Sequence, residues 1–293
     1  MPPLAFDPAD TLWGRERPPL SGRRGAARPA APVTGPAGVM ALVLAETTAG
    51  GAVFLFLTPL WGEVRRGFFT LTGSILLVLA LATAGTAAAA RTGVTSSSAH
   101  AAVVLSLAVA VLTLAWIVLL HTGPRVAARV VGVATVPVSA VMLYAFARTA
   151  DESTVLAFFQ LLAGSLFVGA VLDGLLLGHW YLTERKLPRR PILRMTYLLG
   201  AAVVLEAIAV GLGFGAANAG EAPSSLSPIL TLSGVSSWIA IGMVALTGLI
   251  AVFIRLTLRG DRPAAVQSAT GFFYLAVITA FTAELAAKVH FFP

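Results

Sequence analysis

Ionisable side chains interrupt the long apolar runs of this sequence, and their types limit the chemistry available. Five of them fall within apolar runs: Glu46, Asp173, Glu206, Glu284 and Lys288. Four histidines fall near the ends of such runs: His100, His121, His179 and His290. A charge inside a bilayer costs about 2.5–3.5 kcal/mol even on insertion-based scales, so each group needs a partner, a proton or a function. Carboxylates and histidines are suited to proton exchange, which makes acid–base chemistry the first class to consider.

The composition places these groups in a membrane. The chain has 293 residues, of which 57% are hydrophobic and 11% charged, whereas soluble domains carry roughly 25% charged residues. The net charge of +7 comes from arginines in the N-terminal segment and in the connections between apolar runs. Such arginines set membrane topology and meet anionic headgroups, so we expect no nucleic-acid partner.

Eight apolar runs are long enough to cross a bilayer as helices, which needs about 20 residues each. They span residues 38–60, 67–90, 98–121, 126–147, 155–180, 192–215, 229–257 and 266–290. Short connections force consecutive helices to be antiparallel neighbours. The sequence therefore predicts an all-α integral membrane bundle, residues 38–293, after a disordered Arg-, Pro- and Ala-rich tail, residues 1–37. Similar stretches at 49–69 and 163–186 suggest a duplication with halves 38–150 and 151–293, although chance similarity explains them equally well.

Lysines and arginines are concentrated on one side of the predicted bundle, here called side B; side A carries both chain ends. The side-B connections are 61–66, 121–129, 183–194 and 258–264, whereas the side-A connections contain only Arg91 and Arg148. The positive-inside rule predicts that side B is cytoplasmic and both termini are extracytoplasmic, as in a bacterial inner membrane. The arginines of the N-terminal tail favour the opposite orientation.

Counting residues along each span at 1.5 Å per residue predicts a polar layer in the leaflet of side A. The layer contains Glu46, Glu206, Glu284, Lys288 and His100. Glu284 and Lys288 have the i, i+4 spacing of an intrahelical ion pair, whereas Glu46 and Glu206 need a proton, a tertiary cation or a hydroxyl. Thr47 and Thr48 are candidate hydroxyl partners for Glu46. The layer is interpreted either as neutral acids that hold helices together or as a proton or quinone site open to side A.

A second polar group, Asp173 and His179, precedes the basic segment on side B. Gly174 with Gly178, and likewise Gly211 with Gly215, have the GxxxG spacing that permits close helix packing. Asp173 is therefore expected near a packed interface. His179 and the two aromatic residues after it are typical of an interfacial belt, which leaves Asp173 unexplained.

The candidate ligands argue against most cofactors. The chain has no cysteine, which excludes a disulfide and an iron–sulfur cluster on this chain. His100 and His121 would lie about 30 Å apart on one helix, at opposite bilayer boundaries, which disfavours haem. No zinc motif is recognisable, so we predict no metal site. No nucleophile–base pair is recognisable either, which makes an intramembrane enzyme the least favoured class and leaves enzymatic activity of the chain alone undecided. Quinone or lipid is the ligand class that remains.

The small-residue first span, "AETTAGGAVFLFL", in an eight-span chain with an apparent duplication resembles the NrfD-like membrane subunits of polysulfide-reductase-type complexes. This resemblance implies a quinone site near one membrane face and electron transfer with iron–sulfur partner chains. It also implies that Glu46 lies beside quinone and that Glu206 relays protons. We therefore predict a non-catalytic membrane subunit of a respiratory or photosynthetic electron-transfer complex, shaping a quinone or proton site or acting as structural support, with other membrane subunits and lipid as partners. The alternative is a small proton-coupled secondary transporter.

Overall fold

A computed structural model describes residues 35–91, 96–150, 153–184, 187–218, 232–260 and 264–288. Within these ranges the regular structure is entirely helical. The α-helices are α1 Gly35–Leu57, α2 Arg66–Ala90, α3 Ser97–Thr122, α4 Arg125–Ala147, α5 Thr154–Thr183, α6 Arg190–Asn218, α7 Leu232–Thr257 and α8 Ala264–Lys288, and a short 3-10 helix, Thr58–Trp61, follows α1. The predicted tail lies outside the described residues except for its last three residues, which begin α1.

All eight of these helices are long and apolar enough to cross a membrane. Large apolar side chains cover their outward faces; Val78, Val111 and Val133, for example, are each more than 60% exposed. In water such a surface would be unfavourable, but lipid chains satisfy it. The prediction of an all-α, eight-span integral membrane protein is confirmed, and the predicted span ends agree with the helix ends to within a few residues.

The helices form two groups of four with the same arrangement. In the first group α1, α2, α3 and α4 pack in sequence and α4 returns to contact α1; in the second, α5, α6, α7 and α8 pack in sequence and α8 returns to contact α5. The two groups meet mainly through α1 and α5, flanked by contacts of α4 with α5 and of α8 with α1. A duplication of four helices would produce this repeated arrangement.

Helices α1 and α5 run parallel with their backbones in contact. A Cβ atom at Gly50 would lie 1.7 Å from the carbonyl oxygen of Ser165, and one at Gly169 would lie 2.4 Å from the carbonyl carbon of Gly50. Side chains larger than hydrogen would therefore separate the helices. Small residues allow such close approach in membranes, where van der Waals packing replaces the hydrophobic effect between helices.

Of the two glycine pairs predicted to pack against a neighbouring helix, one does so in the structure. Gly174 and Gly178 do face α8, because Cβ atoms there would lie 2.2 Å from the ring of Phe273 and 2.7 Å from Oγ1 of Thr270. The described residues do not support the prediction for Gly211 and Gly215, since none of them places an atom of another element within 4 Å of either Cβ position. The spacing alone does not reveal which face of a helix has a neighbour.

Candidate functional site

A lysine and two glutamates meet inside the bundle. Nζ of Lys288 lies 2.8 Å from Oε1 of Glu46 and 3.0 Å from Oε2 of Glu284. The side chains of both glutamates are 0% exposed and that of Lys288 is 1% exposed. The predicted i, i+4 pair is thus present, and the tertiary cation that Glu46 required is the same lysine.

Glu206 of α6 completes this buried cluster, defined here as Glu46, Glu206, Glu284 and Lys288. Its side chain is 1% exposed. Its carboxyl group interacts with that of Glu284 and lies within electrostatic reach of Glu46 and Lys288. Four of the five residues predicted to share a layer are therefore together, contributed by α1, α6 and α8.

Helix α5 contributes space to the cluster. A Cβ atom at Gly164 would lie 2.6 Å from Oε1 of Glu46 and 2.8 Å from Oε2 of Glu284. The missing side chain leaves room for both carboxyl groups against the backbone of α5. Sequence reasoning missed Gly164, and the small residues that flank it in "LLAGSLF" were the only signal of a close contact.

The cluster joins different parts of its three helices. Glu46 lies midway along α1, and Glu206 lies near the middle of α6, whereas Glu284 is in the last turns of α8. The middle of α1 therefore lies beside the end of α8. The predicted opening toward side A is not found at these four side chains, since each is at most 1% exposed.

The hydroxyl groups expected to bind Glu46 bond elsewhere. Thr47 Oγ1 donates to the carbonyl oxygen of Val43 at 2.6 Å, and Thr48 Oγ1 lies 3.2 Å from Oγ1 of Thr83. The prediction of hydroxyl partners was therefore wrong. An intrahelical carbonyl satisfies Thr47, and the neighbouring helix α2 satisfies Thr48.

The cluster has more acids than bases. Three carboxyl groups surround one ammonium group, and no N–H or O–H donor among the described residues is hydrogen-bonded to Oε2 of Glu46, Oε2 of Glu206 or Oε1 of Glu284. Neighbouring carboxyl oxygens can bond to one another only through a shared proton. Because uncompensated charge is very costly in an apolar interior, the site is chemically suited to hold and exchange protons.

His100 does not belong to the cluster. It is exposed in the first turn of α3, and its Nδ1 lies 2.9 Å from Nη1 of Arg91. The prediction that it shares the layer was wrong, because α3 packs chiefly against α2 and α4, away from α8. Counting residues gives the depth of a side chain but not its direction.

Asp173 and His179 are placed differently from each other. Asp173 is 0% exposed, and within the described part of the chain neither of its carboxyl oxygens has a hydrogen-bond partner. It lies one turn after Gly169, on the side of α5 that approaches α1. His179 is exposed, so the two residues do not form one site. The aromatic-belt interpretation was wrong for the neighbouring Trp180, which packs against Phe68 with ring centroids 6.4 Å apart, and for Tyr181, which is buried.

The described histidines do not converge. His121 Nε2 lies 3.1 Å from Oγ1 of Thr70, at the side-B end of α3. His290 lies outside the described residues. Among the residues that the structure describes, no group of three or more histidine, aspartate or glutamate side chains is arranged to hold a metal ion.

No family model matches the sequence, and the search of curated proteins found no match. The assignment of a function therefore depends on the cluster and on the arrangement of helices around it.

Proposed function

We propose that this chain is an integral membrane subunit of an energy-transducing electron-transfer complex, in which the buried cluster exchanges protons in support of quinone chemistry. The observation that carries the proposal is the burial of three carboxyl groups around Lys288, each at most 1% exposed. Ionisable groups inside a membrane are costly and typically mark proton or substrate pathways.

The position of the cluster supports an exchange role. Glu46 belongs to the first group of four helices, and Glu206, Glu284 and Lys288 belong to the second. A change in the number of bound protons would therefore alter the attraction between the two groups. In this proposal Glu46 and Glu284 hold the lysine, and Glu206, which has no ion pair within the described residues, relays the proton.

The resemblance to NrfD-like subunits supports the choice of complex. Such subunits bind quinone and work with iron–sulfur partner chains, and this chain has no cysteine with which to hold a cluster itself. The repeated four-helix arrangement agrees with the duplication on which the resemblance partly rests. We propose a quinone headgroup near Glu46, with Glu206 as the relay toward the membrane surface.

Purification of the tagged chain from its native membranes in mild detergent tests the assignment to a complex. We expect iron–sulfur or other redox subunits to co-purify in a fixed ratio and to oxidise or reduce an added short-chain quinone. Glu206→Gln should lower that rate at least tenfold without dissociating the complex, while Glu184→Gln on the side-B surface should not. Recovery of the chain only as a solitary monomer or homodimer would contradict the proposal.

A proton-coupled secondary transporter is the second candidate. It is favoured by the location of the cluster between two similar helix groups, because transporters built from repeats bind their substrates at such interfaces near the bilayer midplane. Proteoliposomes containing the chain alone would then carry out proton-driven uptake of a solute, and Glu46→Gln would abolish it. If reconstituted chain shows no proton-coupled flux but restores quinone turnover to its partners, the electron-transfer assignment holds.

A purely structural role of the four groups predicts a third result. Glu46→Gln and Glu206→Gln would then change the stability of the chain but would affect neither quinone turnover nor solute flux. The functional assays in folded variants therefore separate a scaffold from a proton site.

A further inference from the structure

A cavity of about 420 Å³ opens at the side-B end of the first four-helix group. It lies between the connection that follows α1, the start of α2, the end of α3 and the start of α4. The cavity is separate from the buried cluster, whose residues do not line it. The proposed function leaves it unused.

The interior of this cavity is apolar. Phe69, Trp116 and Ala128 line it and are buried. The ring of Trp116 meets Phe56 edge to face, with centroids 5.1 Å apart and planes at 89°. A Cβ atom at Gly132 would lie 2.5 Å from Phe56, so this glycine leaves room for the aromatic pair. The aromatic wall is therefore packed from behind by Phe56.

The rim of the cavity is cationic. Arg66 reaches it from α2, and Arg125 and Arg129 reach it from successive turns of α4. None of the described residues that line the cavity is an aspartate or a glutamate. Among the described residues the ion pairs of this surface involve Arg65 with Glu184 and none of these three arginines. Three guanidinium groups thus surround one opening, and no described carboxylate pairs with any of them.

His121, at the end of α3, also lines the cavity. Its Nε2 lies 3.1 Å from Oγ1 of Thr70, which orients the imidazole ring. The cavity therefore combines three arginines and a histidine with an aromatic wall. Arginines that acted only on topology would not need to converge on a cavity.

We infer that this cavity binds the phosphate headgroup of an anionic phospholipid of the side-B leaflet. Arginine pairs with phosphate through parallel charge-assisted hydrogen bonds. Basic pockets between membrane helices bind such headgroups, and each nearby cation adds about 1 kcal/mol of attraction to an anionic lipid. The upper part of an acyl chain packs against Trp116 and Phe69. The bound lipid seals the connection between α3 and α4, and its phosphate is the counterion for the three arginines, which have no ion pair among the described residues.

Thermal unfolding of delipidated, detergent-purified chain tests this inference with phosphatidylglycerol, phosphatidylcholine and inorganic phosphate as probes. We expect phosphatidylglycerol to raise the unfolding midpoint saturably and the other two probes to have little effect. The double variant Arg125→Gln, Arg129→Gln should weaken the apparent affinity for phosphatidylglycerol about 30-fold, which is the factor expected for two cations. Arg190→Gln, which removes a charge from the same membrane side outside the cavity, should leave the affinity unchanged.

Several outcomes would overturn the inference. Equal stabilisation by phosphatidylcholine would mean that only acyl chains bind, and equal stabilisation by inorganic phosphate would mean a free-anion site. A loss of about fivefold in Arg190→Gln, the factor expected for one cation, would mean that net charge alone matters. If the double variant does not fold, Arg66→Gln on the opposite rim provides the same test, and native mass spectrometry of the unaltered chain must show one retained phosphatidylglycerol.

Discussion

Nζ of Lys288 lies 2.8 Å from Oε1 of Glu46 and thereby links the last transmembrane helix to the first. The same nitrogen pairs with Glu284 on its own helix. One cation thus balances acids from both four-helix groups, in a place that solvent does not reach. Lys288 is therefore the residue whose loss should affect the structure most.

Lys288→Met should destabilise the chain by about 3–5 kcal/mol, because removal of one partner from a buried ion pair leaves uncompensated charge. The triple variant Glu46→Gln, Glu284→Gln, Lys288→Met should recover most of the lost stability. In this variant all three members of the two ion pairs are neutral, so no buried charge lacks its partner. Unfolding in mixed micelles measures both free energies. Arg65→Gln, which breaks an exposed pair with Glu184, is the control and should cost less than about 1 kcal/mol. Equal effects of Lys288→Met and Arg65→Gln would contradict the central role of the cluster.

Gly50→Ala should also destabilise the protein, for a steric reason. The new Cβ would lie 1.7 Å from the carbonyl oxygen of Ser165, and a backbone oxygen cannot move unless α1 and α5 separate. We expect a loss of about 3 kcal/mol or more, at the upper end of overpacking effects. Gly242→Ala is the matched control, because no atom lies within 4 Å of its Cβ position and alanine is favoured over glycine in a helix by about 1 kcal/mol. The unfolding midpoints should shift in opposite directions; a stable Gly50→Ala variant would disprove the close α1–α5 contact.

The sequence predicts the helices well because one physical property defines them. A span must be apolar over the thickness of the bilayer, and the connecting residues must not be, so α5 at Thr154–Thr183 follows closely from the run predicted at 155–180. Buried charge is similarly visible, since a charged residue inside such a run is costly. The grouping of Glu46, Glu206, Glu284 and Lys288 could therefore be predicted from depth alone.

What the sequence does not reveal is the direction in which each side chain faces. His100 has a suitable depth but lies on α3, which does not border α8. Gly211 faces no helix within the described part of the chain, although its spacing is that of a packing motif. Gly164 was missed for the opposite reason, because glycine is common in this chain and only the neighbouring helices make this one necessary. Arg66, Arg125 and Arg129 converge on a cavity through the packing of α2 and α4. In each case the outcome depends on which helix lies beside the residue, and tertiary packing decides this.

Asp173→Asn should leave the fold intact and weaken the infrared band of protonated carboxylic acids. Within the described residues no cation or donor is bonded to the carboxyl group of Asp173, so the neutral acid is the form that this apolar environment tolerates. The C=O stretch of a protonated carboxylic acid should be present in the unaltered chain at neutral pH and decrease in Asp173→Asn, while the stability changes by no more than about 1 kcal/mol. Glu184→Gln, at the surface, should not alter that band. An unchanged band in Asp173→Asn would show that Asp173 is ionised and that a partner or bound cation compensates it.

The orientation of the bundle can be read from single cysteines, because the chain contains none of its own. Arg148 on side A and Gly260 on side B are exposed, and a Cβ at Gly260 makes only ordinary contacts. If the arginines of the side-B connections determine topology, Arg148→Cys reacts with a membrane-impermeant maleimide in intact cells, whereas Gly260→Cys reacts only after permeabilisation. Each cysteine is introduced alone, and its labelling is measured in a variant that retains the thermal stability of the unaltered chain. The reverse labelling pattern would place the termini in the cytoplasm and would mean that the arginines of the N-terminal segment, rather than those of the connections, anchor the first helix. The proposed anionic-lipid cavity would then face the outer leaflet, so the labelling result also decides from which leaflet its lipid must come.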